Sequence, residues 1–95
     1  MLALTLAVTY LTDPGHGWMA CARGLATDLA FIDRVSPYSF YERETDTLWL
    51  EEDCDAGLLI NALRERGIRF ELRAQHIDGD AWVRSLPHWH PATAL

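Results

Sequence analysis

Between Thr47 and Gly67 the hydrophobic period of the chain changes from 2 to 3.6 across a block of carboxylates. Thr47-Leu48-Trp49-Leu50-Glu51 alternates as a strand does, with Leu48 and Leu50 on one side and Trp49 on the other. Leu58, Leu59, Ala62 and Leu63 then recur at helical spacing up to Gly67, a residue suited to the position just past a helix end. A strand and a helix joined by so short a link must each bury an apolar face, which commits the chain to a mixed α and β fold. The carboxylates between them have an immediate local role. Glu51, Glu52, Asp53 and Asp55 lie at the positive end of the helix and Arg64 and Arg66 at its negative end, an arrangement worth about 0.3–1 kcal/mol per exposed charge. Asp53 or Asp55 is placed to cap it.

The rest of the chain reads in the same way. Leu2, Leu4, Leu6, Val8 and Tyr10 alternate with small residues as a first strand. Thr12-Asp13-Pro14-Gly15-His16-Gly17 has turn chemistry, and Trp18 to Ala22 reads as a second strand. Leu25, Leu29 and Ile32 suggest one helix from Gly24 to Val35, stopped by Ser36-Pro37. Tyr38 to Arg43 pairs with Thr47 to Glu51 as a hairpin whose turn is Glu44-Thr45-Asp46, and Arg69 to His76 is a last strand with Phe70, Leu72 and Ala74 inward. Residues 78–95 are expected to be an irregular, partly packed tail. The expected fold is α+β, a single small domain over 1–95 in the order β-β-α-β-β-α-β, with a mostly antiparallel sheet and two helices on one face.

Ninety-five residues with 49% hydrophobic content support one core and no more. No apolar run approaches the roughly 20 residues that span a bilayer, and the opening segment lacks a basic leader, so a cytoplasmic location is expected. All eight basic residues are Arg, which removes lysine Schiff-base and P-loop chemistry. Cys21 and Cys54 form no CxxC pair and read as free thiols. No zinc, calcium, dinucleotide or hydrolase motif is complete, so neither metal nor cofactor is called for and an enzyme is the less favoured class.

Seven of the fourteen acids fall between Glu42 and Asp55, opposed there only by Arg43. A single-sign field of this kind repels nucleic acid and attracts Arg-rich protein surfaces. The expected partner-binding set is Glu42, Glu44, Asp46, Trp49, Glu51, Glu52, Asp53 and Asp55, with Trp49 outward beside Tyr41 as an aromatic anchor. A second candidate is the turn Asp13, His16 and Trp18, where His16 with a nearby Asp has the makings of a general base or a ligand. His76, His88 and His90 are scattered, and Pro87 to Pro91 reads as a stiffened tail with Trp89 docked on the body.

The blocks Asp13-Pro14-Gly15-His16-Gly17-Trp18, Ser36-Pro37-Tyr38-Ser39-Phe40 and Leu48 to Asp55 resemble those of a family of small bacterial proteins carried by plasmids, phages and integrated elements, with no assigned activity. The resemblance implies a setting: a mobile-element protein that blocks a nucleic-acid-binding host defence protein, of anti-CRISPR or antirestriction type. Charge complementarity to a basic protein surface would carry that role, with no direct nucleic acid or membrane contact, as monomer or homodimer. The alternative is a small metal-dependent or His/Asp enzyme, which requires the Asp13-His16 turn and the Glu51–Asp55 carboxylates to converge.

Overall fold

In a computed structural model, residues 4–94 are described. Five strands, β1 (Leu6–Thr12), β2 (Gly17–Ala22), β3 (Phe40–Glu42), β4 (Thr47–Glu51) and β5 (Phe70–His76), form one sheet in the order β3-β4-β2-β1-β5. Helix α1 (Arg23–Asp28) follows β2, and α2 (Ala56–Glu65) follows β4. The chain is thus an α+β domain in the expected order, antiparallel throughout except where β5 runs parallel to β1. The start of the expected first strand, Leu2 and Ala3, lies outside the described residues.

The alternation of each strand decides which face it serves. Val8, Met19, Cys21, Tyr41, Leu48 and Leu50 point to one face, where Ala26 and Leu29 from the α1 segment and Ala56, Leu59, Ala62 and Leu63 from α2 close over them. Leu48, Leu50, Leu59 and Leu63 are fully enclosed, worth about 1.5–3 kcal/mol each. Leu11, Trp18, Phe40 and Trp49 point to the other face, and the tail covers it with Ala81 and Val83. The tail is therefore part of the core, closing the second face with Ala81 and Val83 and reaching the first with Trp89. It crosses the second face with a 3-10 turn at Trp82–Ser85 and reaches the β3 edge, where Tyr41 N–H donates to Pro87 O at 2.9 Å and Trp89 N–H donates to Ser39 O at 2.7 Å.

The two helix ends share one closing device. Past α2, Gly67 takes φ 64° while Ile68 N–H reaches Leu63 O and Gly67 N–H reaches Arg64 O, the paired bonds of a Schellman turn. Past α1 the same pair runs from Phe31 to Ala26 and from Ala30 to Thr27, with Ala30 at φ 62°. An alanine at a left-handed position carries no sequence signal for a stop, so the single expected helix over 24–35 is instead α1, this turn, and a 3-10 turn at Ile32–Arg34.

The last strand also differs from expectation. Phe70 is half-buried, but every other residue of β5 is exposed, Leu72 to 45%. Its place at the edge of the sheet leaves Leu72 and Ala74 without the cover that their alternation implied.

Candidate functional site

The β2–β4 ladder brings two distant stretches to one end of the sheet. Trp18 stands opposite Glu51, so the residue before β2 meets the residues after β4, and Glu52 N–H closes the ladder on Gly17 O at 2.9 Å. The turn before β2 is shaped by Asp13, whose Oδ1 accepts from the backbone N–H groups of Gly15 and His16 at 2.9 Å each. The turn after β4 is shaped by Glu51, whose Oε2 accepts from Asp53 N–H and Cys54 N–H at 2.9 Å each. Gly17 at the junction has no room for a side chain: a Cβ there would stand 2.5 Å from the Tyr10 hydroxyl and 2.9 Å from Glu52 Oε2.

His16, Glu51, Glu52 and Asp53 each direct one ligand atom into a space where all four lie within 4.8 Å of one another. His16 Nδ1 is 3.2 Å from Glu51 Oε1, and the Tyr10 hydroxyl donates to Glu52 Oε2 at 2.6 Å. Neighbouring groups register the resulting negative field. The Tyr10 hydroxyl is pushed up to about 12, first by its bond to Glu52, then by burial and by the charges of Glu52, Asp53 and Glu51. The Cys54 thiol is raised by its contact with Glu51, by burial and by the surrounding carboxylates, which keeps it protonated and a poor nucleophile.

Beside the cluster opens a cleft of about 290 Å³, walled by Trp18, Phe40 and Tyr38 and edged by His16, Glu51, Asp53, Cys54 and Arg84. Trp18 is 2% exposed and its indole N–H is buried without a hydrogen-bond partner among the described residues. Apolar walls with a few convergent polar groups are the usual build of a small-ligand site.

The expected site residues divide sharply. Asp13 is no base for His16. Its carboxylate is clasped by Arg84 through Nε at 2.6 Å and Nη2 at 2.9 Å and also accepts from Ala81 N–H at 2.9 Å, which holds it well below the usual carboxylate range. Asp55 begins α2, yet its side chain makes no capping bond; buried to 2%, it accepts from Ser36 N–H, from the Ser36 hydroxyl at 2.7 Å and from the Ser39 hydroxyl. Asp53 therefore does not cap the helix either. Trp49 does not project from the acidic edge. It is 7% exposed, pairs with Phe40 while Tyr41 faces the opposite side, packs edge-on against Trp82 at 5.1 Å, and donates from Nε1 to Glu42 at 3.1 Å. Asp46 is taken by Arg23 at 2.7 Å and 2.9 Å and by the Tyr41 hydroxyl. Of the expected partner-binding set, Glu44 and Asp53 stand exposed, with Glu42, Asp46 and Glu52 half-buried and Glu51 buried.

Four residues of the cleft carried no functional reading from sequence: Arg84, Tyr38, Phe40 and Cys54. Arg84 was the most accessible to inference, being the one Arg after Arg73. The other histidines do not join the cluster; His88 Nδ1 lies 2.6 Å from Pro37 O with its ring 4.7 Å from Phe40, and His90 Nδ1 accepts from Ala92 N–H. Cys21, buried, and Cys54, exposed, are both free thiols. Among the described residues no helix is long and apolar enough to cross a membrane. No family model, curated protein or solved structure matches the chain.

Proposed function

We propose that the protein works through this cleft, binding a divalent cation with His16, Glu51, Glu52 and Asp53 and using it to hold a small anionic ligand against Trp18, Phe40 and Tyr38. The observation that carries the reading is the convergence of one imidazole and three carboxylates, whose ligand atoms lie within 4.8 Å of one another, while Arg84 at the cleft edge is engaged by Asp13. Like charges so close repel, and a bound dication offsets that repulsion. Oxygen donors with one imidazole suit Mn²⁺ or Zn²⁺, and the cluster offers no thiolate that would select a softer metal. Of the enzyme alternative read from sequence, this keeps His16 and the first three carboxylates and releases Asp13 and Asp55, whose oxygens are already occupied.

The test is titration calorimetry with Mn²⁺ and Zn²⁺ alongside thermal unfolding. At a cation concentration about 100 times its Kd, the native state gains about 2.7 kcal/mol, which raises Tm by roughly 10–20 °C in a chain of this size. His16→Ala and Asp53→Asn each remove that rise without lowering the metal-free Tm by more than about 3 °C. Absence of both heat and Tm shift at millimolar metal rejects the reading.

A second reading keeps the acidic interface: an inhibitor or modulator of a nucleic-acid-binding host defence protein, carried by a mobile element. It is favoured by the exposure of Glu44 and Asp53 and by a net charge of −6, which disfavours direct nucleic-acid contact. Affinity copurification with stepwise salt elution separates the two, since this reading requires a stoichiometric basic partner released as salt rises.

A further inference from the structure

The two edges of the sheet are finished differently. Along β3 the tail lies against the edge through an antiparallel bridge between Phe40 and His88. Along β5 the outer edge has no paired strand among the described residues. The hydrogen bonds at either end of the β1–β5 ladder, Leu6 N–H to Arg69 O and Ile77 N–H to Thr12 O, aim the backbone groups of Arg69 and Ile77 at β1. Because backbone direction alternates along a strand, the N–H and C=O groups of Phe70, Leu72, Ala74 and His76 face outward. Such a row is a template for another strand, and natural edges are normally blunted by Pro, a bulge, shortness, charged side chains or a covering segment. β5 has seven residues and no Pro, and its charges, Glu71 and Arg73, are opposite in sign and joined by an ion pair of 2.8 Å.

We infer that β5 is a self-association edge, pairing antiparallel with β5 of a second copy about a twofold axis at Leu72. The sequence selects this register. With Leu72 opposite its own copy, Glu71 of each chain faces Arg73 of the other, giving two symmetry-related opposite-charge pairs on one face of the joined sheet. On the other face Leu72 meets Leu72 and Phe70 meets Ala74, covering the side chain that edge position left 45% exposed. Moving the axis by one residue sets Glu71 against Glu71 or Arg73 against Arg73, which costs about as much as the correct pairing gains. The outward backbone groups of Phe70, Leu72 and Ala74 fall opposite one another in the chosen register, as an antiparallel ladder requires. The result is a ten-stranded sheet with the two clefts at separate ends, and it stands independently of what the cleft binds.

Sedimentation equilibrium of the full chain from about 1 to 500 µM tests this, with native mass spectrometry to identify species. The wild type reaches twice its 10.8 kDa chain mass within that range. Glu71→Arg and Arg73→Glu, both at exposed positions, each weaken dimerisation about tenfold or more by placing like charges opposite. Mixing the two variants in equal amounts restores a dimer containing one chain of each, and the double variant E71R/R73E restores a dimer by itself. Far-UV circular dichroism shows that each variant keeps its fold. A wild type that keeps single-chain mass throughout, or reversals that leave the dimer intact, overturns the inference, as does a mixture that forms no mixed dimer.

Discussion

Asp13 and Asp55 on one side, and Glu51, Glu52 and Asp53 on the other, are carboxylates from the same end of the same sheet with opposite fates. Asp13 receives three backbone N–H groups and both arms of Arg84, and Asp55 receives a backbone N–H and two hydroxyls. Their oxygens are occupied, and what they do is hold segments together: the first turn to the tail, and the loop at Ser36–Ser39 to the start of α2. In the cluster, Glu51 spends one oxygen on its own turn and directs the other to His16, Glu52 gives one to Tyr10, and each carboxylate still brings an oxygen within 4.8 Å of the His16 ring nitrogen. Counting acids along the chain treats all five alike. Counting donors around each separates those that build the site from those that can bind something in it.

Mutation breaks this contrast most strongly at Asp55. Asp55→Ala leaves the Ser36 and Ser39 donors without an acceptor in a buried place and lowers stability by about 3 kcal/mol in urea unfolding, whereas Asp53→Asn changes it by less than about 0.5 kcal/mol. Equal losses at the two positions would erase the distinction.

Acid sharpens it next. The carboxyl of Asp13 titrates lower in the folded chain than in the unfolded one, so its contribution is complete above pH ~4 and is lost as pH falls below that value. Asp13→Asn therefore flattens the acid limb of a stability-against-pH curve, and a curve with an unchanged acid limb would show that the Arg84 clasp is not what sets it.

The smallest effect is at the alkaline end. The Tyr10 hydroxyl, raised to about 12, contributes stability that is complete below its unfolded value of ~10 and declines as pH rises between the two. Tyr10→Phe removes that decline, and by releasing Glu52 it strengthens cation binding a few-fold, read by calorimetry. Weaker binding in Tyr10→Phe would mean that the hydroxyl positions Glu52 as a ligand.

Much of the architecture was legible because it follows from local period. The alternation in Leu48-Trp49-Leu50 and the helical spacing of Leu59, Ala62 and Leu63 each name a buried face, and Gly67 marks its helix end by the one backbone conformation that favours glycine. The same reading failed where a residue took a conformation or a neighbour that its type does not announce. Ala30 closes α1 at a positive φ without being glycine. Trp49 points away from Leu48 and Leu50 as alternation requires, but the space it points into is filled by Trp82 and the rest of the tail. Leu72 alternates correctly and is left uncovered. Alternation tells which side a residue takes and nothing about what lies on that side.

The candidate site shows the same division. His16 and the acidic block were each visible as chemistry, and the pairing that joins them was not. It depends on β2 lying beside β4 with Trp18 opposite Glu51, a choice made by the sum of packing across the whole sheet. The clasp between Asp13 and Arg84 spans 71 positions of sequence, and no local signal reports a contact at that distance. The sequence by itself determined the elements, their order, and the residue types available for binding, because backbone sterics and side-chain period act over a few residues. Only the tertiary structure decided which carboxylates were fully bonded and which were gathered beside His16, because hydrogen bonds and charges act through space between groups that only packing makes neighbours.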